Sequence, residues 1–231
     1  MDAVVDLFTS SFCEYEPMTK HLGIEPAQFK PFAQKVVEKA IVDGLSIVAC
    51  DGKKIVACAI VEDIFTPDPL DFSEFDPKFE TIFSLLEKLG IHYFEGKQFV
   101  KNNISHLFIT AVDAHYHGCG LSKKVNNEAM KLSEKRGFGF MYCEFTNDRN
   151  EKGTIGPMEN KKTLIGSCTY NDFVFKEQSP FQGLEGAANS YLWVLNPEAK
   201  LTYYQKKEQE NELVSQPFDS EFMQSNYGIR K

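Results

Sequence analysis

This 231-residue chain lacks any apolar run long enough to cross a bilayer. It also lacks a charged stretch leading into a short apolar segment of the kind that directs secretion. A cytoplasmic protein without membrane contacts is the expectation. None of the six cysteines, at 13, 50, 58, 119, 143 and 168, forms a CxxC pair or stands at zinc-binding spacing from a histidine. No metal is expected, and Cys50, Cys58 and Cys143, set in apolar runs, read as reduced core residues. Basic clusters are missing as well: 25 Lys and Arg stand against 33 Asp and Glu, a formal net charge of −8. That balance argues against nucleic acid as a partner and weakly favours cationic ligands. There is no internal repeat and a single Trp. Phenylalanine, by contrast, is abundant at 20 residues, and such rings fill cores and line apolar pockets. The length and a 42% apolar composition suit one large domain that needs no staples.

Periodicity divides the chain into elements. Val4, Val5, Leu7, Phe8 and Phe12 have helical spacing, and a loop with Glu16-Pro17 follows. Pro26 opens a helix to about Val42, closed by Gly44. Asp51-Gly52 between the apolar runs Leu45–Cys50 and Lys54–Glu62 signals a hairpin. Residues 65–77 combine Pro67, Pro69 and Pro77 with acids and with Phe65, Phe72 and Phe75, and read as a loop or flap. A helix is predicted at 78–95, a strand at Ile104–Val112, a helix from Leu121 to Arg136 and a strand at Phe140–Phe145. Thr163–Tyr170 and Ser190–Leu195 are further strand candidates. The charged stretch 198–212 is predicted to be helical, with a polar tail after it. The order implies an α/β (α+β) fold with a mixed, largely antiparallel sheet flanked by helices.

The segment Val112-Asp113-Ala-His115-Tyr116-His117-Gly118-Cys119-Gly120-Leu121-Ser122 joins a strand to a helix through glycines. Such a turn points several N–H groups outward together, and the helix N-terminus adds positive potential. The result is an anion site suited to a pyrophosphate. It is not a Walker loop, since no Gly-Lys-Ser/Thr follows, nor a Rossmann turn, since the third glycine is missing.

In its surroundings this segment resembles the acyl-CoA motif of the GNAT N-acetyltransferase superfamily, Arg/Gln-x-x-Gly-x-Gly/Ala. The basic position falls on His117, the central glycine on Gly120 and the closing small residue on Ser122. Val112-Asp113 and Tyr116 are similar to the arylalkylamine (dopamine-type) branch. Tyr142-Cys-Glu-Phe-Thr-Asn147 and Tyr170-Asn-Asp-Phe…Pro180-Phe181 resemble later segments of that branch, so the likeness runs over roughly residues 2–196. There are three departures. His117 replaces a permanent cation. The family's usual first strand is absent or lies before Met1. Residues 148–162, usually a helix, hold Gly153, Gly156 and Pro157, poor helix formers. A GNAT-like domain over 1–197 and a charged helix and tail over 198–231 are the expected organisation.

The resemblance implies acetyl-CoA as co-substrate, held by Ala111, Val112, His117, Gly118, Cys119, Gly120, Leu121, Ser122 and Asn147. It also implies a small amine as acceptor. Acyl transfer to an amine needs a base, a polarised carbonyl and a proton for the leaving thiolate. Glu16, in Phe12-Cys-Glu-Tyr-Glu-Pro17-Met18, resembles the Glu-Pro-Leu loop that carries the base of the arylalkylamine branch; Glu14 reads as solvated. A backbone N–H near Ala111–Val112 would polarise the carbonyl, because in GNAT enzymes this strand splays from its neighbour. For the acid, Tyr142, Thr146, Thr154 and Tyr170 stay open. His115 with His117 lacks a third metal ligand, and Cys119 reads as an inert thiol. Two other readings stay open: a CoA-binding module without turnover, and transfer to a peptide or protein amine.

Overall fold

The computed structural model describes residues 1–65, 71–154, 162–206 and 211–218. Helix α1 (Asp2–Tyr15) buries Val4, Val5, Leu7 and Phe8 on one stripe. A short helix α2 (Pro17–His21) follows at once. Helix α3 (Pro26–Asp43) starts with a capping box between Glu25 and Gln28 and stops at Gly44, whose φ is +64°. The hairpin β1 (Ile47–Asp51) and β2 (Lys54–Asp63) turns at Asp51-Gly52. Helix α4 (Lys78–Phe94), β3 (Lys97–Phe99) and β4 (Ile104–Val112) come next, then α5 (Leu121–Lys135), β5 (Phe140–Phe145) and α6 (Asp148–Thr154). The remaining strands are β6 (Lys162–Thr169), β7 (Ala187–Val194), β8 (Lys200–Lys206) and β9 (Asn211–Pro217).

The main sheet has the order β1-β2-β4-β5-β7-β6, and every pair is antiparallel except β4 with β5. Strand alternation sends Cys58 and Ile60 to the face covered by α1, α3 and α4, and Ala57, Ala59 and Val61 to the face covered by α5. Rings from α1, α3 and α4 meet on the first face: Phe8 lies 5.1 Å from Phe29, and Phe32 lies 4.8 Å from Phe79, centroid to centroid. Among the described residues no helix is long and apolar enough to cross a membrane.

Two expectations change. The stretch 198–212 is not a helix. From Lys200 on, its described residues form β8 and part of β9; β8 pairs with β3 on one side and β9 on the other in a second sheet. The charges hid a period of two: Leu201 and Tyr203 turn inward onto Phe99 and Ile104, while Tyr204 faces water. Residues 148–154, read as poor helix formers, do form α6. Asn147 Oδ1 accepts from Asn150 N at 2.8 Å, and Asp148 and Glu151 occupy the first turn. The cap and the helix dipole outweigh the low propensity of Gly153. Residues 155–161, with Gly156 and Pro157, lie outside the described residues, as do 66–70.

Candidate functional site

The glycine turn is fastened from below. Asp113 Oδ1 accepts from His115 N at 2.9 Å, and Lys54 sits 2.7 Å from its other oxygen. Lys54 first, then the His115 contacts, hold the Asp113 carboxyl down at about 2. Tyr116 donates its hydroxyl to Asp51 at 2.7 Å, tying the turn to the β1–β2 hairpin. Gly118 and Gly120 have φ of +81° and +70°, the left-handed region where a Cβ is strained. Within the turn, His117 N bonds Ala114 O and Cys119 N bonds Tyr116 O. The N–H groups of Gly118, Gly120, Leu121, Ser122 and Lys123 have no partner among the described residues, and α5 has no side-chain cap. Five free donors therefore converge at a helix N-terminus, which fits a pyrophosphate.

Strand β4 opens beside this turn. Its pairing with β5 runs from Ile104 to Leu107 and stops there, while its pairing with β2 continues to Val112. The register on β2 skips Phe108, a bulge that bends β4 away from β5. Asp113 N donates to Val56 O at 2.9 Å. By alternation the peptides of Ala111 and Asp113 face β2, and those of Thr110 and Val112 face the gap. Val112 thus offers a free N–H to the gap; Ala111, buried at 1% exposure, does not. The Val112 carbonyl lies 3.1 Å from His117 Nε2.

Two spaces meet at the gap. An open cleft of about 540 Å³ runs along the turn past Val112, His117, Gly118, Gly120 and Asn147. Beyond it lies a smaller apolar chamber of about 80 Å³, walled by Phe29, Phe32, Phe79, Phe83 and Phe108 and by Glu144. Phe12, Glu16, Thr110, Ser122, Thr146 and Asn150 line both. Glu16, 6% exposed, caps α2: its carboxylate accepts from Met18 N at 3.2 Å and Thr19 N at 2.6 Å. The cap fixes where the carboxylate points and leaves it acceptor sites to spare.

Other expected residues fall apart. Glu14 is exposed and accepts from Tyr15. Tyr170 is buried and donates to the Thr146 carbonyl, and Tyr142 is buried beside Glu144. Cys119 and His115 are exposed. Phe75 packs on Phe32 and Phe79, so it anchors the 65–77 loop to the core. The side chain of Phe72 lies outside the described residues.

Sequence reasoning missed two buried polar systems. Asn126 of α5 accepts from Thr110 Oγ1 at 2.8 Å and donates to Thr154 Oγ1 at 3.0 Å, which steers both hydroxyls. Across β2, β4 and β5 runs a row in which His106 Nδ1 meets Glu62 at 3.2 Å and His106 Nε2 meets Glu144 at 2.7 Å, with Lys39 of α3 on Glu62. Burial alone would lower the His106 pKa; the Glu144 carboxylate, then Glu62, override it and lift it to about 9. Lone polar residues within apolar strand runs were the available signal.

A mixed sheet parted at a bulge, with a glycine turn at the head of the following helix, is the architecture of the GNAT acetyltransferases. Solved structures similar to this chain include arylalkylamine N-acetyltransferases and related enzymes. Arylalkylamine N-acetyltransferase 2 from Aedes aegypti is 20% identical with a TM-score of 0.70, covering 84% of this chain and 94% of that one. The C-terminal condensation domain of Ebony, in complex with beta-alanyl-dopamine, is 15% identical with a TM-score of 0.74, covering 84% and 93%. The Drosophila melanogaster polyamine N-acetyltransferase, which forms N-acetylagmatine, is 14% identical with a TM-score of 0.64, covering 84% and 94%. No family model and no curated protein matches the sequence.

Proposed function

We propose that this chain is an acetyl-CoA-dependent N-acetyltransferase acting on a small primary amine with an apolar, arylalkylamine-like body. The observation that carries the reading is the junction: one cleft with five free N–H donors and one apolar chamber share Glu16, Thr110 and Thr146 at the parting of β4 and β5. The N–H groups of Gly118, Gly120, Leu121, Ser122 and Lys123 would hold the pyrophosphate, with Asn147 and His117 beside it. Acetyl-CoA supplies the activated thioester. Val112 N–H would polarise the carbonyl, and Glu16 would take the proton from the attacking amine. Thr146, which lines both spaces, would donate a proton toward the departing sulfur. Cys119 N–H is spent inside the turn, so that residue contributes conformation and not a donor. The small volume and apolar walls of the chamber favour a small amine over a peptide.

A CoA-binding module without turnover is the second reading. The structural use of Glu16 as a cap favours it, as does His117 where the family has a permanent cation. Thiol release from acetyl-CoA with an arylalkylamine, a linear polyamine and a Lys-containing peptide separates the readings. Preference for the arylalkylamine supports the proposal. Preference for the polyamine or peptide by more than about tenfold, worth roughly 1.4 kcal/mol of transition-state binding, removes the acceptor class.

A further inference from the structure

A contact between two rings crosses the open cleft. Tyr15, the last residue of α1, lines one side, and His117, in the glycine turn, lines the other. Their ring centroids lie 4.8 Å apart at an interplanar angle of 69°, an edge-on contact. Tyr15 donates its hydroxyl to Glu14 at 2.7 Å, which orients the phenol ring. His117 Nε2 lies 3.1 Å from the Val112 carbonyl. A carbonyl only accepts, so that nitrogen carries a proton and donates. Both side chains are exposed, so burial does not force the pair together. The Val112 peptide faces the gap where β4 leaves β5. A free strand edge of this kind pairs with an extended chain that carries amides. The arm of CoA is such a chain, with secondary amides between its phosphates and its thiol. In the free protein His117 occupies the acceptor that this arm would use.

We propose that His117 and Tyr15 form a latch across the cleft, which only a donor with an amide-bearing arm releases. This rests on the transferase reading above. A nucleotide without the arm can sit on the five free N–H groups of the turn while the latch stays closed. The full cofactor reaches Val112. There an amide N–H of the arm replaces the imidazole N–H on the same carbonyl. The carbonyl keeps a donor throughout, so the exchange leaves no polar group unpaired. What is lost is the His117 bond and its ring contact with Tyr15. The latched molecules are not competent for the arm, so the apparent CoA affinity is reduced by the fraction that is latched. Loosening the latch should therefore tighten CoA and leave the armless nucleotide as it was. The device makes the cleft discriminate a thioester carrier from a free nucleotide that offers the same phosphates.

The test is calorimetry with CoA and with adenosine 3′-phosphate 5′-diphosphate, which is CoA without its pantetheine arm. The quantity read is the ratio of the nucleotide Kd to the CoA Kd. It should rise by about fivefold in Tyr15→Ala, the size of one exposed hydrogen bond and a ring contact. His117→Ala should raise it by a similar factor, because anything the imidazole adds at the phosphates acts on both ligands and cancels in the ratio. Tyr15→Phe keeps the ring and should stay at the wild-type ratio. Circular dichroism checks that the variants are folded. A ratio that is unchanged or lower in both folded alanine variants, while both ligands still bind, would overturn the latch and leave the transferase reading standing. If neither ligand binds the wild type, the transferase reading fails and the latch fails with it.

Discussion

The glycine turn and the acceptor chamber sit a few residues apart on β4, yet one offers backbone and the other side chains. From Asp113 to Lys123 a contiguous segment exposes five N–H groups, and side chains matter there chiefly for being absent. The chamber is assembled from α1, α3, α4, β4 and β5, each giving one or two Phe, with Glu16 and Glu144 as its acids. The first kind of site tolerates sequence change as long as φ is permitted. The second changes with every packed side chain. A fold can thus keep its cofactor turn while its acceptor space diverges.

Substitutions in one region should leave the other intact. The largest effect is expected for Glu16→Gln, which should lower turnover at neutral pH by about a hundredfold or more while CoA affinity in calorimetry stays within experimental error. A wild-type rate would remove Glu16 from the mechanism. Next is Gly120→Val. At φ +70° no protein atom lies within 4 Å of the added Cβ, so the damage is backbone strain and a blocked approach. CoA affinity should fall by about tenfold with the fold kept by circular dichroism; unchanged affinity in a folded variant would sink the turn assignment.

A smaller effect concerns stability. His106 has its pKa raised from 6.5 to about 9 on folding, so its stabilising share is complete below pH 6.5 and is lost as pH rises through 9. The Tm of the wild type should drop by about 3 °C or more between pH 6.5 and 9.5. His106→Gln should start lower and lose that slope; an identical slope would show that the row is not the titrating group. The smallest effect is a gain. His117→Arg restores a permanent cation beside the turn and should tighten CoA binding by about threefold at low salt, with the gain fading as salt screens it. Unaltered affinity at low salt would place His117 away from the phosphates.

The same contrast governs what could be read from the sequence. The turn was legible because its function is local: Gly118 and Gly120 next to each other in sequence are next to each other in space. Strands β4 and β5 were legible end to end, since apolar residues dominate both. The Glu62–His106–Glu144 row was not legible, because it exists only through the register of three strands, and that register includes a bulge at Phe108. The choice of Val112 over Ala111 as the free donor likewise follows from pairing with β2 and from nothing in the side chains. Phe72 and Phe75 drew attention as a flap, whereas the rings that build the chamber, Phe32 and Phe79 among them, looked like ordinary helix interior. The β8–β9 hairpin was missed because exposed charges masked the alternation of Leu201 and Tyr203.

The central claim is that the turn and the chamber serve one reaction at their shared junction. Thiol release from acetyl-CoA, measured with small primary amines, a linear polyamine and a Lys-containing peptide, tests it most directly. The account predicts release above the water blank with a small apolar amine, with specificity constants highest for that class and saturation shifted to about tenfold higher acetyl-CoA in Gly120→Val. Release no faster than the blank with every acceptor, by a protein that binds CoA normally, would contradict it.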